Sequence, residues 1–448
     1  MTTTVAALDR EVGRQVIRKV SRRLLPFMGL LYFVNYLDRT NIGFAKLTMS
    51  KDLALTETMF GLASGLFFIG YLLVEVPSNM ALHRFGARCW IARIMVTWGL
   101  VASCMAFVPT SGWLYGLRIL LGVAEAGFFP GMLLYLTLWF PRRERVRFTA
   151  LFLLAIPISS ALGSPLSAAV IQYGDGLFGL PGWRVMFLIE GVPAVILGVM
   201  TWFYLTDRPT QAGWLSSDER SWLIRTMDAE NGATAGRFHW PLRRVLTDLR
   251  VWGLGMVYFG VVYGLYALTF FLPTIVAGFA QTFHTQYSLL ETGLIVAVPF
   301  ATASVAMVLW SGHSDRTGER VWHVAAPILL GAVSTPVALY LHSPFAVMAA
   351  VTLTAIGIFC ALPVFWYLPT TFLSGMGAAA GIALVNSLGN SAGFLAPYVT
   401  GWLSDATGTN KAGLWVVGLA MLFAAVLVLA LRSGPRPDFE ARSSEPES

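Results

Sequence analysis

Residues 24–45 read LLPFMGLLYFVNYLDRTNIGFA, an apolar run crossed near its end by Asp38 and Arg39. A helix stopping at Leu37 would hold only 14 residues of this run, too few for a hydrocarbon layer of about 30 Å. Continued to Ala45 it holds 22 residues, about 33 Å at helical rise. The Asp-Arg pair is therefore expected inside a membrane helix, not snorkelling at its surface. Eleven more apolar runs follow, at 59–82, 89–108, 113–140, 148–171, 184–205, 251–277, 291–310, 321–341, 345–372, 377–402 and 412–431. Helices are the reading, because lone strands would leave backbone groups unpaired in lipid and a barrel would alternate with period two.

Composition agrees. Of 448 residues, 56% are apolar and 12% charged, against roughly 25% charged in a soluble domain. A water-soluble globule and a disordered chain are both excluded. Cys89, Cys104 and Cys360 share no C-x-x-C spacing and form no disulfide framework. The first 20 residues are polar and basic, without an apolar core and cleavage site, so no removable signal peptide is expected.

Lysines and arginines accumulate in short cytoplasmic loops. With the N-terminus inside, 25 of the 31 fall on the inner side. Lys46, Lys51, Arg184 and Lys411 fall outside, which leaves Arg39 and Arg118 as the two basic residues within the membrane. Both termini are expected in the cytoplasm, across a bacterial inner membrane. The net charge of +7 then reflects topology and anionic lipid, not nucleic acid.

A polar stretch at 207–250 divides six spans from six. The expected organisation is a tail at 1–23, a six-helix bundle at 24–206, a linker at 207–250, a second bundle at 251–431 and a tail at 432–448. Ser216 and Glu219 form a capping-box pattern opening a linker helix over Ser217–Met227. The loop after span two, His83-Arg84-Phe85-Gly86-Ala87-Arg88, and that after span eight, Asp315-Arg316-Thr317-Gly318-Glu319-Arg320, repeat R-x-G-x-R 232 positions apart. Parallel repeats related by an axis along the membrane normal are a transporter arrangement, with the site at midplane between the halves.

Further motifs are Asn35-Tyr36-Leu37-Asp38-Arg39-Thr40-Asn41-Ile42-Gly43-Phe44-Ala45, Glu75-Val76-Pro77-Ser78-Asn79, Arg118-x-x-x-Gly122-x-x-Glu125-Ala126-Gly127-Phe128-Phe129-Pro130, Gly182-Trp183-Arg184 and Asp207-Arg208-Pro209. Through them the chain resembles the major facilitator superfamily over all twelve spans, and within it the anion:cation symporters. The first inner loop carries His83 where the family has an acidic residue; the second retains Asp315. The resemblance implies an all-α integral membrane fold of two pseudo-symmetric six-helix bundles. It also implies that Asp38 and Glu125 take protons while Arg39 and Arg118 serve binding and coupling.

The residues themselves lead to the same chemistry. A midplane charge costs at least about 2.5 kcal/mol on insertion scales, so it should face a partner or a wet cavity. Guanidinium stays charged and holds a carboxylate through two parallel hydrogen bonds, which suits Arg39 and Arg118. Arg118 and Glu125 are seven residues apart on one helix face and are expected to pair. Asn35, Tyr36, Tyr71, Tyr263, Tyr266, Trp366, Asn386 and Asn390 are candidates to complete the site. Glu75, Arg84, Arg88, Asp315, Arg316 and Arg320 are candidates for gating. Glu190 is read as shallow and structural. Gly163-Ser164-Pro165 and Gly393-x-x-x-Pro397 are read as breaks in corresponding helices or, equally, as small-residue contacts between helices. His83, His313 and His323 lack metal-ligand spacing, and neither metal nor cofactor is expected. No zinc, nucleophile-elbow or phosphate-loop pattern points to an enzyme.

The expected function is import of an organic carboxylate (sugar acid, tartrate-like diacid or small aromatic acid) with protons by alternating access, in a single chain whose partners are substrate, protons and lipid. Proton-linked efflux is the alternative, although Gly163-Ser164-Pro165 stands where an antiporter carries Gly-Pro. A transporter-like sensor would need an output module longer than these tails.

Overall fold

The computed structural model describes residues 2–234, 247–370 and 375–432. Outside the described residues lie the middle of the linker, the expected tail from residue 433, and the side chains of His83, Arg142, Arg143, Arg145 and Arg147.

The first half comprises α1 (Thr2–Thr40), α2 (Ile42–Asp52), α3 (Glu57–Phe85), α4 (Ala87–Cys104), α5 (Ser111–Glu125), α6 (Phe128–Trp139), α7 (Arg142–Tyr173) and α8 (Gly182–Tyr204). A linker helix, α9 (Ser217–Thr234), follows. The second half comprises α10 (Leu249–Ala277), α11 (Phe279–Phe283), α12 (Leu289–Thr317), α13 (Val321–Val337), α14 (Pro344–Phe365), α15 (Tyr367–Thr370), α16 (Gly375–Thr407) and α17 (Lys411–Arg432). Ten segments among the described residues are long and apolar enough to cross a bilayer. The other two of the twelve spans are α1 continued by α2, and α16. Asn41, between α1 and α2, keeps helical dihedrals, so the Asp38–Arg39 pair does lie within a continuing helix.

Helix packing displays the repeat that R-x-G-x-R announced. In the first half α1 packs on α7, α3 on α5 and α4 on α8; the equivalents α10 on α16, α12 on α14 and α13 on α17 also pack. The halves meet through α3 on α16 and α7 on α12, which exchange under the same pseudo-two-fold. Lipid supplies no hydrophobic drive between helices, so close backbone approach at small residues must hold these faces together. Gly61 meets the Pro397 carbonyl and Gly401 the Glu57 carbonyl, contacts that leave no room for a Cβ. At the other interface Gly293 lies against Ser164 and Pro165. Of the two readings of the motifs at 163–165 and 393–397, contact therefore holds and breakage does not: α7 and α16 run through them unbroken.

One end of the molecule is sealed by polar contacts between the halves. Asp405 accepts from Glu57 N (3.2 Å), Thr58 N (2.8 Å) and Thr58 Oγ1 (2.6 Å), capping α3 from across the interface. Leu290 N donates to Gln172 Oε1 at 2.9 Å. Lys46 Nζ bonds Glu57 at 2.6 Å and lies 4.8 and 4.6 Å from the rings of Phe60 and Phe271. Lys46 is thus buried, not in an outer loop as expected, because its stem and charge fill an aromatic slot between the halves. Removing a helix cap costs about 1 kcal/mol. Asp405→Ala should therefore shift the population about fivefold toward the state open at this end, read as a longer distance between spin labels at Lys51 and Thr409. An unchanged distance distribution would show that the cap does not hold the seal.

The linker helix forms as its capping box requires: Ser216 N donates to Glu219 Oε2 (2.8 Å) and Glu219 N to Ser216 Oγ (3.2 Å). It runs past Met227 to Thr234. Lys19 Nζ reaches Glu219 at 2.7 Å, tying α1 to α9 and holding the Glu219 carboxyl below its usual range. Helix α1 begins at Thr2, with Val16 and Val20 buried.

Candidate functional site

At about 100° per helical residue, Tyr32, Tyr36 and Arg39 form one stripe of α1, and Tyr258, Val262 and Tyr266 one stripe of α10. These stripes face each other across a small chamber of about 40 Å³, which Tyr71, Trp366, Asn386 and Asn390 also line. Tyr32 and Tyr258 were not picked out from the sequence, although stripe spacing alone identifies them. Tyr263 lies off the stripe and does not line the chamber; Thr400 is its polar neighbour.

Among the described residues, Arg39 is the one cation lining the chamber. Its Nε donates to Glu125 Oε1 at 2.5 Å and its Nη1 to the Tyr266 hydroxyl at 3.3 Å, so one guanidinium touches both halves. Its central carbon lies 5.3 Å from the Phe67 ring and 5.1 Å from Tyr71, an aromatic cradle that favours a cation. Asn35, fully buried, is a polar neighbour of the Glu125 carboxylate.

Two expectations about partners are corrected. Arg118 does not pair with Glu125. Its Nε and Nη2 donate to the Ala63 and Ser64 carbonyls at 3.1 and 3.4 Å, and its central carbon lies 5.3 Å from the Phe67 ring that Arg39 also contacts. Its Nη1 has no hydrogen-bond partner among the described residues. Asp38 does not join the chamber either, because its place on α1 is turned roughly 100° from Arg39. It instead receives Asn41 Nδ2 at 3.4 Å. Glu190, expected to be shallow, is 2% exposed, and the same Asn41 amide donates to it at 2.9 Å.

Glu125 stands beside a break that sequence length hid. Span four, expected as one run over 113–140, ends α5 at Glu125 and restarts α6 at Phe128. Gly127 sits there at φ +86°, and its missing Cβ makes room for Ser78, whose Oγ donates to the freed Ala126 carbonyl at 2.6 Å. Interrupted helices at midplane are where transporters place polar groups. A left-handed non-glycine residue costs about 1–2 kcal/mol before any clash. Gly127→Ala should therefore lower the melting temperature and the membrane yield; unchanged values for both would remove the break from the argument.

Beside the chamber a larger cavity of about 390 Å³ shares Phe129, Leu153, Trp366 and Asn386 with it and extends to Pro130, Leu133 and Ile382. Glu75 lines this cavity and accepts from Asn386 Nδ2 at 2.8 Å, a contact between halves. The other gating candidates stay within their own halves. Arg88 N donates to Asp207 at 2.8 Å with its guanidinium at 3.7 Å, and Arg320 bonds Asp315 at 2.7 Å. Arg84 stacks on Phe85 at 5.5 Å, and Arg316 is exposed. Among the described residues no ion pair joins the halves at this end.

Comparison with known proteins places this geometry. The Major Facilitator Superfamily profile matches residues 28–397 and 275–447. A protein named "Putative tartrate transporter" from Agrobacterium vitis is 51% identical over 96% of this chain and 97% of its own length. A "Quinolone resistance transporter" from Acinetobacter baumannii is 38% identical over 92% of this chain and 94% of its own. In fold, the chain matches the xylose transporter of E. coli in a partially occluded inward-open conformation, with a TM-score of 0.71 at 15% identity over 92% of this chain and 99% of that one.

Proposed function

We propose that this chain, which belongs to the Major Facilitator Superfamily, is an anion:cation symporter that imports a small organic carboxylate with protons across a bacterial inner membrane. It would work as a single chain with both termini cytoplasmic. The observation that carries the reading is the Arg39–Glu125 pair, buried between the halves and touching Tyr266 of the second. Arg39 has one strong acceptor, so a substrate carboxylate and the Glu125 carboxylate compete for it. A proton on Glu125 frees Arg39 to grip the anion, and deprotonation of Glu125 expels it. That competition couples the two fluxes. Arg118, buried 5.3 Å from the Phe67 ring and outside the chamber lining, adds positive potential to the site.

The energetics require such coupling. An anion entering against an inside-negative potential loses about 2.3 kcal/mol per charge per 100 mV, which co-transported protons cancel. The seal at Asp405 and the cavity beside Glu75 correspond to an inward-facing state under this topology, with Asn386 and Glu75 at the mouth of the exit path. The name of the Agrobacterium relative supports a hydroxy-diacid class of substrate. Uptake of tartrate and related sugar acids into proteoliposomes under an inward proton gradient tests the proposal. Uptake that survives collapse of the gradient would remove symport.

A second reading, export of drug-like molecules, draws on the name of the Acinetobacter relative. Against it stand a chamber lined by a guanidinium and Gly163-Ser164-Pro165 in place of Gly-Pro. Cells expressing the chain should show unchanged quinolone susceptibility; a rise in resistance would favour export.

A further inference from the structure

We propose that Asp38 and Glu190 share a single proton across Asn41, forming a second proton-holding site inside the first bundle and making Glu190 the positioning residue for the proton on Asp38. The inference rests on the symport reading for its meaning, but not for its test.

Three side chains define the cluster. Asp38, Asn41 and Glu190 are 3%, 1% and 2% exposed. The Asn41 amide donates to Glu190 Oε2 at 2.9 Å and to Asp38 Oδ1 at 3.4 Å, and Ser167 Oγ donates to Glu190 Oε1 at 2.7 Å. Neither carboxyl has an ion-pair partner among the described residues. Facing Asp38 from other helices are Glu190 on α8, Glu125 and Arg118 on α5, and the Trp98 indole on α4. The hydrogen bonds of Arg118 go to backbone carbonyls of α3, and Arg39 is taken by Glu125.

Two carboxylates bridged by one amide in a dry site cannot both keep their charge. The pattern of unmet hydrogen bonds shows what is missing. Among the described residues, Asp38 Oδ2 and Asn41 Oδ1 are buried acceptors without a hydrogen-bond partner, and the Trp98 indole N–H beside Asp38 is a buried donor without one. Buried polar atoms of this kind are normally satisfied. One proton on the pair halves the buried charge, and the indole N–H of Trp98 can serve one Asp38 oxygen but leaves Asn41 Oδ1 still in need of a donor. The proton then belongs to the pair, not to either residue. Because Asp38 and Arg39 are consecutive on α1, movement of α1 as Arg39 changes partners also changes the Asp38–Glu190 separation.

The test is infrared difference spectroscopy of the full-length protein in nanodiscs, titrated with pH and read at the C=O stretch of protonated carboxyls. The wild type should show a titrating band that is lost in Glu190→Gln and lost equally in Asp38→Asn, while Glu125→Gln retains it. Asn41→Leu keeps both carboxyls but removes the bridge, and should change the band's midpoint; this variant serves if either carboxyl variant folds poorly. A band retained in Glu190→Gln but lost in Asp38→Asn would mean that Asp38 holds its proton alone and would overturn the inference, as would a band indifferent to both. Wild-type uptake indifferent to a proton gradient would instead sink the symport reading and leave the shared proton standing.

Discussion

Glu125→Gln should abolish proton-driven accumulation of substrate while leaving counterflow exchange within about threefold of the wild type. One proton moving down one pH unit supplies about 1.4 kcal/mol, a tenfold concentration ratio at zero membrane potential. A symporter whose proton rides on Glu125 loses that ratio entirely when the group can no longer titrate. Exchange of substrate for substrate requires no net proton movement. Glutamine is close in size and keeps a carbonyl that Arg39 Nε can reach, so the chamber survives as a binding site. Proteoliposomes with an imposed gradient measure the first quantity, and preloaded proteoliposomes the second. Accumulation persisting at the wild-type ratio would show that Glu125 is a structural partner of Arg39 and that the proton travels elsewhere.

Arg39→Gln should remove substrate binding and lower stability together, and the second effect should be reversed by the partner. Breaking a buried pair by removing one member costs about 3–5 kcal/mol, because the other charge is left uncompensated. Glu125 is that member here, with only 1% of its side chain exposed. The single variant should therefore melt well below the wild type and show no thermal shift on addition of substrate. In Arg39→Gln with Glu125→Gln no charge is stranded, and the melting temperature should recover most of the loss while binding stays absent. The comparison separates a guanidinium that grips an anion from one that only holds helices. If the double variant melts as low as the sum of the two singles, the pair is not an isolated buried unit. If the single variant still binds substrate, Arg118 carries the anion alone.

The two missed chamber tyrosines, Tyr32 and Tyr258, mark where sequence reading stopped short. Stripe geometry would have found both, and would have placed Asp38 and Tyr263 off the chamber. The signal was the angle around each helix axis, whereas the expectations weighed depth along the helix and residue type. Partner choice was less accessible. Seven-residue spacing does put Arg118 and Glu125 on one face of α5, which ends at Glu125, two residues before Gly127, but Glu125 bonds across to α1 and Arg118 to carbonyls of α3. The burial of Glu190 could not be read from its distance to Arg184 along the chain, because it depends on α8 packing against α4, α7 and α1.

Membrane insertion, the number of spans, the two-fold repeat and the presence of charges at midplane all follow from the chain alone. They depend on hydropathy over windows of about twenty residues and on local spacing, which no distant contact can alter. Tertiary structure decided which guanidinium meets which carboxylate, which tyrosines share a chamber, and which end is closed. Those outcomes depend on the rotation of each helix about its axis and on which face of one half meets the other, and these are set by close backbone contacts such as Gly61 on Pro397 and Gly293 on Ser164, between residues more than a hundred positions apart.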